Sequence, residues 1–189
     1  MVKIYESSAM IFEIINKIKF CIYADRIGPD MPFTHWLLHY KSSMKKLCKK
    51  KFLHFGDNAE FRVGGYAVFC SQIEIGNNVI IRPNTMLFAD EYAKIIISDN
   101  VMIGSGAHFY VNNHKYDDTT IPIIEQGYYP SKDILVKEGA WIGANAIILP
   151  GVIIGKNSVI GAGSIVTKSL PDGVVAAGNP ARIIKTIAV

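Results

Sequence analysis

The sequence predicts an all-β core, a solenoid of short strands wound into stacked triangular coils, with helical segments at its two ends. Three observations carry that expectation. Aliphatic residues recur at steps of six, marked by the pairs Ile75-Gly76, Ile103-Gly104, Ile142-Gly143, Ile154-Gly155 and Ile160-Gly161. A period of six is neither the roughly 3.6 of a helix nor the 2 of a strand, so it marks a stacked repeat. Gly and Asn recur between the aliphatics, where a coil must turn with positive φ. Half of the residues are hydrophobic and only 19% are charged, which suits a continuous core shared by many coils.

From the N-terminus, residues 1–54 show no hexad. Segments 6–24 and 33–51 read as helices joined by Gly28-Pro29-Asp30-Met31-Pro32. The coil occupies residues 55–171. Its inward aliphatics are expected at Val63, Phe69, Ile75, Ile81 and Leu87, then at Ile97, Ile103 and Phe109. The register resumes at Val136 and runs through Ile142, Ile148, Ile154, Ile160 and Val166. Four residues after most of these stands a small or β-branched partner able to fit a corner, such as Val79, Thr85, Ala140, Ala146, Ser158 or Ser164. Asn77, Asn78, Asn100, Asn145 and Asn157 are expected to supply the left-handed turn residues. Within residues 172–189, Val174 to Ala177 reads as a short strand after a Pro171-Asp172-Gly173 turn. Asn179 reads as the N-cap of a last, short helix with Pro180 at its first position.

The period breaks twice. Ten residues separate Leu87 from Ile97, and twenty-seven separate Phe109 from Val136. The second break implies an excursion over residues 115–135, thrown out from the side of the coil. Long loops inside compact domains are usually functional. This one carries Tyr116, Asp117, Asp118, Tyr128 and Tyr129, which is not the composition of a linker.

Composition narrows the function classes. A net charge of +4, with no basic residues interleaved among aromatics, argues against nucleic acid. Cys21, Cys48 and Cys70 are odd in number and lack a CxxC spacing, so free thiols and a cytoplasmic location are expected. The apolar run Met10 to Ala24 contains Glu13, Lys17 and Lys19, and is too short and too charged to span a bilayer. No signal peptide is legible. Lys45, Lys46, Lys49, Lys50 and Lys51 form a cluster that reads either as a solvated face or as peripheral contact with an anionic membrane surface.

His114 is the first candidate for chemistry, because it stands where the long excursion leaves the coil. It reads either as a general base or as a surface histidine in the polar turn Asn112-Asn113-His114. His35 and His39 are four apart on a helix, but the glutamate of the zinc-protease motif is missing and no third ligand is evident. His108 and His114 are six apart, again without a third ligand. No metal site is expected.

The stretch from Val101-Met102-Ile103-Gly104 to Asn113-His114, followed by Asp117, resembles the catalytic region of the hexapeptide-repeat acetyltransferases. So does the tail Ile160-Gly161-Ala162-Gly163-Ser164-Ile165-Val166-Thr167-Lys168 with Ala177-Gly178-Asn179-Pro180-Ala181-Arg182. The resemblance is to the galactoside and maltose O-acetyltransferases and to O-acetyltransferases of polysaccharide biosynthesis. It implies a left-handed parallel β-helix, an exception to the usual right-handed crossover. It also implies a homotrimer, acetyl-CoA as acyl donor, a saccharide hydroxyl as acceptor, and His114 as general base. Asn84, thirty residues before His114, matches an active-site asparagine that holds the acceptor hydroxyl. Stacked coils are expected to bring the two to one cleft; the alternative for Asn84 is a turn ladder. By the same resemblance the N–H near Ala144 faces the thioester carbonyl, and Trp141, Ala162, Thr167, Lys168 and Arg182 belong to the coenzyme A site. Trp141 reads equally as a core or interface aromatic, and Arg182 as part of a solvated helix face. No serine or cysteine is placed as a nucleophile, so direct transfer in a ternary complex is expected. A streptogramin-type acetyltransferase and a non-enzymatic scaffold are the alternatives.

Overall fold

The chain winds as a three-faced prism of parallel strands, each two or three residues long, in a computed structural model that describes residues 2–187. Met1, Ala188 and Val189 lie outside it. We number the faces in the order the chain visits them. Face I stacks five strands, from His54–Phe55 through Ile73–Ile75, Ile95–Ile97 and Ile134–Val136 to Ile153–Ile154. Face II begins at Glu60–Phe61 and continues through Ile80–Ile81, Met102–Ile103, Trp141–Ile142 and Val159–Ile160. Face III carries Tyr66–Val68, Met86–Phe88, His108–Tyr110, Ile147–Ile148 and Ile165–Val166.

The six-residue period follows from this geometry, with one inward aliphatic per face. On face II, Phe61, Ile81, Ile103, Ile142 and Ile160 pair in register and are at most 1% exposed. Burying each such side chain contributes about 1.5–3 kcal/mol. Most corners hold a residue in the left-handed region. Asn58, Asn78, Asn84, Asn100, Asn145 and Asn157 take it, with φ between 54° and 61°. Asn77 does not; its side chain instead joins coils, accepting the Asp57 N–H at 2.8 Å and facing Asp99.

The first coil departs from the expected register. Its inward residues are Phe55, Phe61 and Ala67 rather than Val63 and Phe69. A 3-10 turn at Cys70–Gln72 absorbs two extra residues at the corner. Phe69 is pushed outward there, 39% exposed with φ 53°.

The ends also differ from expectation. α1 (Val2–Tyr23) is continuous, but the second helix breaks into α2 (Pro32–His35), a 3-10 turn at Trp36–His39, and α3 (Lys41–Lys51), with Tyr40 extended between them. α3 buries Met44, Leu47 and Cys48 against the first coil. Lys51 donates to the carbonyls of Ile22 and Ala24, satisfying acceptors at the C-terminal end of α1. Arg26–Ile27 pairs antiparallel with Tyr66–Val68 and covers the open edge of face III. At the other end the described residues form no last helix. Val174–Gly178 adds to face II, and the chain turns at Asn179-Pro180 and returns antiparallel as Ala181–Thr186. Ile183, Ile184 and Thr186 are β-branched, and the free edge of face II offers a ladder that outweighs the cap signal at Asn179. Two buried hydroxyls fasten this hairpin. Ser158 Oγ donates to Pro171 O and accepts the Val174 N–H, while Ser164 Oγ accepts the Gly178 N–H.

Candidate active site

The edge between faces III and I carries the long excursion. It leaves after Val111 and closes where the Lys132 N–H meets Val111 O at 2.9 Å, so the loop spans 112–132 rather than 115–135. Its neck is an antiparallel pairing. The Lys115 N–H donates to Gly127 O, the Tyr129 N–H donates to Asn113 O, and His114 bridges to Tyr128. Further out, Gln126 holds both Asp118 and Ile121, and Tyr129 Oη donates to Asp117 at 2.6 Å. That donation to an anion pushes the Tyr129 phenol up to about 12. The loop is a hydrogen-bonded hairpin, and His114 stands exposed at its base. The His114 ring lies on Tyr128, centroids 4.2 Å apart and inclined by 31°.

Beside it opens a cavity of about 540 Å³ lined by Phe69, Asp90, Tyr92, Asn112, Lys115, Tyr128, Tyr129 and Ser131, among others. Asp90 organises it. One carboxylate oxygen accepts the N–H groups of Tyr92 and Ala93, each at 2.9 Å. The other accepts from Asn112 at 2.8 Å and from the Ser131 hydroxyl. Burial pushes the Asp90 carboxyl up, but these donors outweigh it and hold the group below the usual carboxylate value. Asp90 thus ties the four-residue insertion to both limbs of the excursion. Aromatic faces with a few fixed polar groups are the lining expected for a small-molecule ligand. Asp90, Asn112, Lys115 and Ser131 were not singled out from the sequence. The signal was the first break in the period, which contains Asp90.

Thr167 and Lys168 leave face III two coils beyond the excursion and are exposed on the same edge as His114. A second hollow of about 240 Å³ runs between them, lined by Asn113, Tyr129, Pro130, Lys132, Leu149, Pro150 and Thr167.

The remaining candidates stand on the opposite edge, between faces II and III. Asn84 precedes the face III strand of its coil, whereas His114 follows the face III strand of the next. Within one chain the two are separated by the width of that face and share no cleft. Asn84 has φ 61° and closes onto Gly64, where a Cβ would collide with its amide oxygen, so it does belong to a turn ladder. Ala144 and Ala162 stack in the neighbouring column; Ala144 O accepts the Gly163 N–H at 2.8 Å. The Ala144 N–H has no backbone acceptor among the described residues. Trp141, 49% exposed on face II, is no core residue, and it lines a hollow of about 310 Å³ with Arg82, Met102, Ser105 and Ala144. Arg182 pairs with Ala177, whose Cβ packs against Gly161, so it sits near Ala162 on the hairpin rather than on a helix.

Residues 133–168 match the model for bacterial transferase hexapeptide repeats (six repeats). Over 143 residues the chain is 39% identical to galactoside O-acetyltransferase of Escherichia coli (strain K12), covering 76% of this chain and 68% of that protein. The chain belongs to the hexapeptide-repeat acetyltransferases. A galactoside acetyltransferase solved in complex with coenzyme A is 35% identical, with a TM-score of 0.73 over 82% of this chain and 78% of that one. A maltose O-acetyltransferase from Clostridium difficile 630 is 26% identical, with a TM-score of 0.73 over 93% of this chain and 88% of that one. Coenzyme A-dependent acyl transfer is the chemistry of this family, and the prism is its β-helix.

Among the described residues no three His, Cys, Asp or Glu side chains are grouped to hold a metal ion. His108 faces the Tyr110 hydroxyl at 3.0 Å, and His35 Nε2 accepts the Gly64 N–H. All three cysteines are free and buried. Burial, followed by the nearby Asp25, pushes the Cys70 thiol up to about 12, so it is no ready nucleophile.

Proposed function

We propose that this protein transfers the acetyl group of acetyl-CoA to a hydroxyl of a saccharide, a surface polysaccharide or its precursor, in the cytoplasm. His114 acts as general base in a site assembled between two chains of a homotrimer. The observation that carries this reading is the division of the candidate residues between two edges of one face. His114, Thr167, Lys168 and the aromatic cavity stand on one edge, and Asn84, Ala144, Ala162 and Arg182 on the other. A three-fold axis parallel to the prism sets the first edge of each chain against the second edge of its neighbour.

In that arrangement His114 takes the proton of the acceptor hydroxyl as its oxygen attacks the thioester carbonyl. The unengaged Ala144 N–H faces the oxyanion that develops. The intermediate collapses, coenzyme A leaves as thiolate, and the imidazolium returns its proton to the sulfur. Lys168 and Arg182 meet phosphates of the coenzyme. Asn84 holds the acceptor hydroxyl, and the tyrosines of the cavity pack on the sugar ring.

The test is an acetyl-transfer screen of sugars and nucleotide-linked sugars with acetyl-CoA, read by mass spectrometry, on wild type and His114→Ala. Loss of roughly a hundredfold or more in turnover is expected. Turnover near wild type in the variant removes His114 from the mechanism.

A further inference from the structure

We propose that residues 1–54 form a seat for an anionic lipid bilayer, with the apolar face of α1 lying in the interface and the lysines of α3 meeting the headgroups. Ile11, Ile14, Ile15, Ile18 and Ile22 follow helical spacing and share one face of α1. Ile11, Ile14, Ile15 and Ile22 are 52%, 44%, 44% and 38% exposed and Ile18 is half-buried, so among the described residues most of that stripe is uncovered. Glu13 and Asn16 occupy the opposite face, although the exposed Phe12 and Phe20 also lie away from the stripe. Among the described residues no helix is long and apolar enough to cross a membrane. An amphipathic helix of this kind lies on a bilayer rather than through it.

Charge selects the occupant. Residues 1–54 hold ten Lys and Arg against four Asp and Glu, whereas the rest of the chain holds ten against twelve. The lysines are not equivalent. Lys45 and Lys49 pair with Asp57 at 3.0 and 3.4 Å, and Lys51 is spent on the end of α1. Lys46 and Lys50 are exposed, with no carboxylate within 4.0 Å among the described residues. They line an apolar hollow with Ile22, Leu37 and Leu47, where the end of α1 meets α3. Exposed Phe33, Trp36 and Tyr40 lie on the segment between the helices. Apolar stripe, cationic rim and amphipathic aromatics together match the layers of an anionic membrane interface. A second copy of this chain fits the surface less well, because it would set two cationic segments against each other.

The experiment is co-sedimentation of the full chain with vesicles of phosphatidylcholine alone and of phosphatidylcholine mixed with phosphatidylglycerol. Binding is expected on the mixed vesicles only, and it weakens as salt is raised. Lys46→Gln with Lys50→Gln lowers partitioning roughly tenfold or more, since each lysine near such a surface is worth about 1 kcal/mol. Ile11→Ser with Ile15→Ser abolishes binding while the thermal midpoint and the light-scattering mass stay at wild-type values, because both side chains already face solvent. Equal binding to neutral vesicles, or binding to neither, overturns the proposal. A drop in mass on the isoleucine substitutions overturns it too and assigns the stripe to contact between chains. These readouts are independent of acetyl transfer.

Discussion

If each active site takes His114 from one chain and Asn84 from its neighbour, two inactive chains must rescue each other. The first is His114→Ala, which removes an exposed ring and leaves the coil intact. The second is Asn84→Gly, chosen over alanine because position 84 has φ 61° and only glycine holds that turn without strain. Each homotrimer alone is expected to lose about a hundredfold or more in turnover if its side chain acts on the reacting groups. Equimolar co-expression of the two chains gives random trimers. A site is intact only when its histidine comes from the Asn84→Gly chain and its asparagine from the His114→Ala chain. In the random pool each condition holds half the time, so about a quarter of sites are intact. Trimers selected to contain both chains always have one intact site in three, so about a third of wild-type activity per site returns. The assay is initial rate with acetyl-CoA and any acceptor found in the sugar screen, on mixed oligomers purified through two different tags. Activity remaining at the level of the parent variants refutes the shared site, because it would mean that both residues act within one chain.

Other expectations follow from the same geometry. Asp90→Asn weakens the tie between the four-residue insertion and the excursion, lowering the thermal midpoint by a few degrees at neutral pH. The folded-state value of Asp90 is depressed, so its contribution is present above the unfolded value of about 4 and is lost as pH falls through the folded one. The midpoints of wild type and variant should therefore converge in acid; a gap unchanged by pH would refute the assignment. Ser158→Ala leaves the Val174 N–H and Pro171 O without their partner and should cost about 1–3 kcal/mol in chemical denaturation. Lys168→Ala should weaken coenzyme A binding by roughly tenfold at low salt and less at high salt, measured by calorimetry. Tyr128→Ala removes the ring beneath His114 and one wall of the cavity, and should raise the acceptor KM more than that for acetyl-CoA.

How much was legible depended on how local the controlling interaction is. The register from Ile75 onward could be read because each hexad places one aliphatic inward, and a sidechain's inward direction is decided within a few residues. The same reading failed at Val63 and Phe69, because two residues hidden in the Cys70–Gln72 turn shift the first coil without changing its composition. It failed again at Ala181–Thr186. A cap signal at Asn179 is local, while the free edge of face II that captures the segment is formed by residues far back in the chain. Tyr40 split the helix expected over residues 33–51 in the same way, because packing of α3 against the first coil decides where it starts.

The site divides along the same line. Repetition and its interruptions are properties of the chain, so the scaffold and the position of His114 at the mouth of an excursion were present in the order of residues. A thirty-residue spacing says nothing about which edge of a prism each residue reaches, because that depends on how many corners the chain turns between them. Only the wound structure put Asn84 and His114 on opposite edges. Only it drew Asp90, Asn112 and Ser131 together from three segments to wall a cavity. Order along the chain determines which residues recur, and the number of turns taken between them determines which ones meet.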